Sequence, residues 1–142
     1  LHPEYADAIA MFRDRWFDMC HGDIPGMLEI IQDLKQKGYG VFGLTNWPAA
    51  TFAEARRRFK TIGSIDNYVV SSSVHLAKPE PAIYQLLLSR YNLNACECIF
   101  IDDRKDNVDA AISLGMSGIV YPGSADRLSG ILQKTLQPDK KK

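Results

Sequence analysis

The feature that most restricts this chain is an alternation. Short apolar runs, each too brief for a helix, take turns with amphipathic stretches of helical spacing. Runs at residues 41–45, 68–71, 98–101 and 117–120 read as buried strands. The helical patterns fall between them. Residues 23–38 place Met27, Leu28, Ile31 and Leu34 on one face, with Asp23 as the expected N-cap, Pro25 in the first turn and Gly38 as the stop. Pro48 opens a basic helix through Arg56, Arg57 and Arg58, and residues 81–91 turn Ile83, Tyr84 and Leu87 inward. Residues 107–114 do the same with Val108, Ala111 and Ile112, up to Gly115, and a last helix carries Ala125, Leu128, Ile131 and Leu132. Strand and helix in strict rotation specify an α/β fold, a Rossmann-like parallel sheet with right-handed crossovers and helices on both faces. Residues 1–21 stand apart as one amphipathic helix, with Ile9, Phe12, Trp16 and Met19 at helical spacing, and the boundary falls at His21-Gly22.

Composition narrows the class of protein. With 142 residues, 46% hydrophobic and 24% charged, the chain suits one globular domain and excludes a disordered or low-complexity segment. Lys+Arg and Asp+Glu are 17 each, so no basic surplus points to nucleic acid. No uncharged run approaches the ~20 apolar residues of a membrane span. The chain shows no signal or transit sequence, and the expected compartment is cytoplasmic. Cys20, Cys96 and Cys98 make an odd count without Cys-x-x-Cys spacing, so buried free thiols are expected rather than a disulfide or zinc site.

In a parallel sheet all strand C-termini meet at one edge, where ligands bind. The residues just past the strands therefore converge: Thr45, Asn46 and Trp47; Ser71 to Ser73, with Lys78 slightly later; Asp102 and Asp103; Tyr121. A phosphate oxygen calls for compact positive charge and donors, which Lys78, the Thr45 hydroxyl and backbone N–H groups offer. A hard divalent cation calls for carboxylate oxygens, which Asp103 offers and Asp102 shares or orients. Metal and lysine around one phosphoryl group form the recurring electrostatic apparatus of phosphoryl transfer. Each motif alone has an ordinary explanation as a turn or helix cap; their order at successive strand ends favours function. His75 reads as a surface loop residue and Arg56 to Arg58 as a solvated helix face. Trp47 reads equally as a substrate-side aromatic or a cover for the core.

Three segments carry a family resemblance: Gly43-Leu44-Thr45-Asn46, Ala77-Lys78-Pro79-Glu80-Pro81-Ala82-Ile83-Tyr84, and Ile99-Phe100-Ile101-Asp102-Asp103-Arg104-Lys105-Asp106-Asn107. They resemble the second, third and fourth motifs of haloacid-dehalogenase-like (HAD) hydrolases, above all the phosphatase branch with a small helical cap. The resemblance implies that Thr45, Asn46 and Lys78 hold phosphate, with Lys78 also neutralising the nucleophile. It implies that Asp103 ligates the Mg2+ cofactor, with Asp102 and Asn107 in support, and that the Lys78-Pro79 bond is a candidate for cis. Trp47 is a supporting residue by its place after the first strand, apart from the resemblance. The implied partner is a small phosphorylated metabolite, with neither nucleic acid nor membrane involved.

The family's first motif, Asp-x-Asp at the end of an N-terminal strand, has no counterpart here. The resemblance thus implies that residues 1–22 are a remnant of the cap, residues 23–138 the core without its first strand, and residues 139–142 a frayed tail. The chain alone is expected to be inactive. An upstream segment or another chain is expected to complete the sheet between the strands ending at Thr45 and Ile101, unless those strands pair directly. Two alternatives stay open: a 2-haloacid dehalogenase-type hydrolase, which the Asp102-Asp103 pair disfavours, and a non-catalytic binding module of the same fold. A signalling receiver is disfavoured by motif order, since Lys78 precedes the aspartate pair.

Overall fold

The computed structural model describes residues 3–5, 7, 10–11 and 14–136. Its elements in chain order are α1 (Met27–Gln36), β1 (Phe42–Thr45), α2 (Ala49–Arg58), α3 (Lys60–Gly63), β2 (Asn67–Val70), α4 (Ser71–Val74), α5 (Pro81–Arg90), β3 (Ile99–Asp102), α6 (Lys105–Ser113), β4 (Ser117–Val120) and α7 (Ala125–Thr135). Four strands lie where the apolar runs are. Gly38 adopts a left-handed φ of 86° after α1, a conformation that costs glycine nothing. The first strand begins at Phe42, and Tyr39, three residues upstream, is exposed.

The strands form two parallel ladders. In one, Phe42 to Thr45 run beside Asn67 to Val70. In the other, Ile99 to Asp102 run beside Ser117 to Val120. Among the described residues β1 and β3 share no ladder, so direct closure of these two strands on each other does not occur. The two ladders are joined instead by side chains. Val69 of β2, Ile83, Tyr84 and Leu87 of α5, Phe100 of β3, and Val108 and Ala111 of α6 form one buried cluster with Met116, and Phe42 and Leu44 pack against it. Tyr84 meets Phe100 edge to face at 5.2 Å, and Tyr91 lies 5.2 Å from Phe42. α5 thus contacts both ladders. Residues of opposite parity face the other way: Tyr68 packs edge-on against Phe52 of α2 at 4.9 Å. Its ring also occupies the space a Cβ on Gly43 would need. Helices therefore cover both faces of the β1–β2 ladder.

Several local expectations give way to tertiary contacts. Residues 1–21 are not one helix: Pro3–Tyr5 and Trp16–Met19 are 3-10 turns, with helical residues at 7, 10, 11 and 14. Ile9 and Phe12 lie outside the described residues, and Met19 is exposed. Consecutive Trp16 and Phe17 each find a partner in the α/β unit. Trp16 packs on Trp47 (5.9 Å, edge to face) and Phe17 on Phe59 (6.2 Å), with the Arg58 guanidinium 4.2 Å above the Phe17 ring. Adjacent positions on a helix diverge by about 100°, which a single stripe does not accommodate.

Asp23 does not cap α1, whose first turn follows Gly26 in a left-handed conformation. Its carboxylate instead accepts the Lys60 and Thr61 N–H groups, each at 2.9 Å. Those are orphan donors at the start of α3, where Phe59 has no acceptor of its own. Burial pushes the Asp23 carboxyl up, but the hydrogen bonds from Thr61 and Lys60 outweigh it and hold it below the ordinary value. Ile112 and Ile131, expected inward, are 49% and 37% exposed. The cysteines are free as expected, yet Cys96 is exposed rather than buried, because it sits in the 3-10 turn Ala95–Glu97 before β3. The tail at 139–142 lies outside the described residues.

Candidate active site

The parallel ladders set Thr45 beside Val70 and Asp102 beside Val120, each pair at the C-terminal end of its strands. Thr45 Oγ1 accepts the Trp47 N–H at 3.1 Å, so its own O–H stays available to donate outward. The Trp47 indole N–H donates to Thr51 Oγ1 at 2.8 Å, and its ring contacts Trp16, tying the N-terminal segment to this edge. Ser72, in α4 just past β2, accepts the Ala49 N–H at 2.6 Å and so satisfies a donor at the start of α2.

Lys78 crosses between the two ladders. Its ammonium donates to Asp102 Oδ2 at 2.6 Å, and the two side chains are only 11% and 7% exposed. Asp102 Oδ1 accepts two further bonds, from the Arg104 N–H at 2.9 Å and from Asn107 Nδ2 at 2.8 Å. Burial raises the Asp102 carboxyl, but the bonds from Lys78, Asn107 and Arg104 outweigh it and leave it below the ordinary carboxylate value. Asp102 is therefore an anion held by a cation and two neutral donors. The Lys78-Pro79 peptide is cis.

Asp103, the next residue, is exposed and makes no hydrogen bond or ion pair among the described residues. Neighbouring carboxylates thus differ sharply: Asp102 has donors on both oxygens, while both Asp103 oxygens remain open. Among the described residues no three His, Cys, Asp or Glu side chains converge on a metal position. The donor set fits Mg2+ to the extent of one hard oxygen from Asp103, for an ion that keeps several waters and takes substrate phosphate as well.

Two supporting groups carry no obvious sequence signal. The Tyr84 hydroxyl, on a residue expected only as core, donates to the Asn107 carbonyl at 2.9 Å. Burial, with Asp102 and Asp106 nearby, pushes its pKa up to about 12. The Arg104 main chain closes an Asx turn on Asp102, detectable only as an aspartate two residues before an N–H. Asn107 is buried, with Oδ1 unpartnered. His75 takes a left-handed conformation after α4 and is exposed, as a loop residue would be. A groove of about 730 Å³ between α1 and α7, lined by Glu29, Asp33 and Asp126 among others, shares no residue with this edge.

Comparison with known proteins places the architecture. A sequence model described as haloacid dehalogenase-like hydrolase matches residues 5–115. A sesquiterpene phosphatase from Aspergillus oryzae is 32% identical over 93 residues, covering 66% of this chain and 47% of its own length. A predicted HAD-like family hydrolase from Porphyromonas gingivalis superposes with a TM-score of 0.75 over 89% of this chain and 64% of its own, at 19% identity. A HAD family enzyme from Bacteroides thetaiotaomicron, as an aspartate-to-alanine variant with magnesium and inorganic phosphate, superposes with a TM-score of 0.59 at 26% identity. That match covers 65% of this chain and 50% of the enzyme. The chain spans about half the length of the curated phosphatases that it matches. No helix among the described residues is long and apolar enough to cross a membrane. With the family's sequence pattern over most of its length and a parallel α/β fold beneath it, the chain belongs to the haloacid dehalogenase-like hydrolases.

Proposed function

We propose that this chain forms the phosphate- and metal-holding part of a Mg2+-dependent phosphate monoester hydrolase, with the attacking aspartate supplied from outside the 142 residues. The observation that carries the reading is the division of labour at one sheet edge. Lys78 and Asp102 form a buried ion pair, while Asp103 beside them is open. Thr45 has a hydroxyl proton free to meet a phosphate oxygen. Lys78 would place positive charge against the phosphate, and Asp103 would give Mg2+ one of its oxygens. The bound ion would neutralise charge building on the phosphoryl oxygens. Asn107 would keep Asp102 oriented, and Trp47 would hold the N-terminal segment, here read as part of a cap, against the site. The phosphatase-named relative and the structure with magnesium and phosphate support a phosphate substrate.

The test is hydrolysis of p-nitrophenyl phosphate by the chain alone and by the same chain joined to an N-terminal strand ending in Asp-x-Asp. The chain alone should stay at background, because positioning without a nucleophile gives little rate. The extended protein should turn over with Mg2+ and lose nearly all activity on Asp103→Ala or Lys78→Ala. Turnover by the chain alone, abolished by Asp103→Ala, would overturn the assignment of the nucleophile. Metal-independent release of halide from a haloacid by the extended protein would overturn the choice of substrate.

A further inference from the structure

We propose that Asn46 is a positioning residue whose side-chain amide clamps the main chain of Lys78 and thereby sets where the Lys78 ammonium stands at the sheet edge. Asn46 Nδ2 donates to the Lys78 carbonyl at 3.0 Å, and the Lys78 N–H donates to Asn46 Oδ1 at 2.9 Å. A carboxamide carries a donor and an acceptor side by side, and so can satisfy both polar groups of a single residue. Here it joins positions 32 apart in sequence, doing for a loop residue what a strand neighbour does in a ladder.

The anchor itself is firm. Asn46 directly follows Thr45, which the parallel register holds beside Val70. Lys78 has no ladder; it lies in the loop between α4 and α5. Its tip is bound at the other ladder, to Asp102 at 2.6 Å. Lys78 is thus fixed at its backbone by the β1 side and at its ammonium by the β3 side, across two strands that share no hydrogen bonds. A lysine stem has four rotatable bonds, so an ammonium on a drifting backbone would sample many positions. The clamp removes that freedom at its origin. The resemblance gave Asn46 a direct hold on phosphate. The geometry commits Oδ1 and one N–H of its amide to Lys78 instead. The consequence for catalysis rests on the phosphate-hydrolase reading; the clamp does not.

Two measurements separate them. In the 142-residue chain, NMR reads hydrogen exchange of the Lys78 amide and the 15N–1H signal of its ammonium. Asn46→Ala should speed exchange of that amide at least tenfold and weaken the ammonium signal, with amides of α5 and β3 unmoved. Asn46→Asp keeps the acceptor and loses the donor, so it should give an intermediate value and guards against misfolding of the alanine variant. Unchanged Lys78 signals, or changes spread evenly over the chain, would overturn the clamp.

In the extended protein, Asn46→Ala should lower kcat about tenfold with KM changed less than threefold. In a Lys78→Ala background the same substitution should cut the residual rate by less than twofold. Equal losses in both backgrounds would assign Asn46 to the phosphate itself and overturn the positioning role. A protein with no hydrolysis at all would defeat the functional reading and leave the exchange result to decide the clamp.

Discussion

The two ladders bring different chemistry to the same edge. The β1–β2 side offers a hydroxyl at Thr45 and an amide at Asn46, and through that amide it holds the backbone of Lys78. The β3–β4 side offers carboxylates, one sequestered and one open. Their packing differs too. Phe100 of β3 is buried, whereas every residue of β1 is only half-covered, although strands in parallel sheets are usually buried on both faces. Neither side is a site alone. The hydrophobic cluster around α5 and the Lys78–Asp102 pair are what bring them together. In this molecule apolar burial joins the halves, and a single ion pair aligns their polar edge.

Breaking the shared cluster should have the largest effect. Tyr84 is fully buried, and Tyr84→Ala removes its contact with Phe100 and its bond to Asn107. A cost of about 3–5 kcal/mol is expected for deleting a large buried aromatic. Urea unfolding should follow one transition by both tryptophan fluorescence, which reports the β1 side, and amide exchange of β3. Two separate midpoints would show that the ladders fold independently.

Cutting the ion pair comes next. Lys78→Met leaves Asp102 buried without its cation, and about 3 kcal/mol should be lost at pH 7. The sign with pH follows from the depressed Asp102 carboxyl. In the unaltered chain its contribution is complete above the ordinary carboxylate value, about 3.9. It is lost as pH falls through the lower folded value. The deficit of Lys78→Met should therefore shrink on acidification, since a protonated Asp102 needs no partner. A deficit independent of pH between 7 and 3, read from denaturation midpoints, would remove the charge from the explanation.

Glycines in the two ladders sharpen the contrast. A Cβ at Gly43 meets the Tyr68 ring, which is fixed by Phe52, by Arg56 above it and by its hydroxyl bond to the Ile62 carbonyl. A Cβ at Gly118 meets Val108 Cγ1 at 2.6 Å and Ile112 carbons at 2.8 Å; Ile112 is half-exposed and able to turn away, while Val108 is buried. Overpacking should cost about 2–3 kcal/mol for Gly43→Ala and about 1–2 kcal/mol for Gly118→Ala, where the contact is less close and one of the two neighbours can move. Reversal of that order in thermal melts would show that the β3–β4 side is the tighter one.

The smallest expected effect is at Asp23. Removing its cap with Asp23→Ala should cost about 1 kcal/mol. It should raise hydrogen exchange at the Lys60 and Thr61 amides while leaving β3 untouched.

Much of this was legible in advance. The positions of the strands follow from apolar runs too short for helices, and the expectation of Thr45, Lys78 and Asp103 at one edge follows from parallel topology for the two strand ends. Lys78 lies in a loop and is held there by Asn46 and Asp102. Their partners were less legible. Asp23 reads locally as the cap of α1 but serves α3, 37 residues on. Ser71 to Ser73 read as residues just past β2 and belong to the short helix α4. Trp16 reads as part of one helical stripe, yet it and Phe17 beside it reach two separate aromatic partners.

The sequence by itself determined which residues stand at strand ends, because hydrophobic periodicity is a local property and the parallel sheet turns it into a shared edge. The tertiary structure alone decided that Asp102 is the partner of Lys78 and Asp103 the open carboxylate, and that Asn46 binds a backbone. The two aspartates have the same side chain and adjacent positions, so nothing local distinguishes them. Asp102 is the last residue of β3 and Asp103 the first beyond it, and packing determined which carboxylate met the lysine and which met solvent.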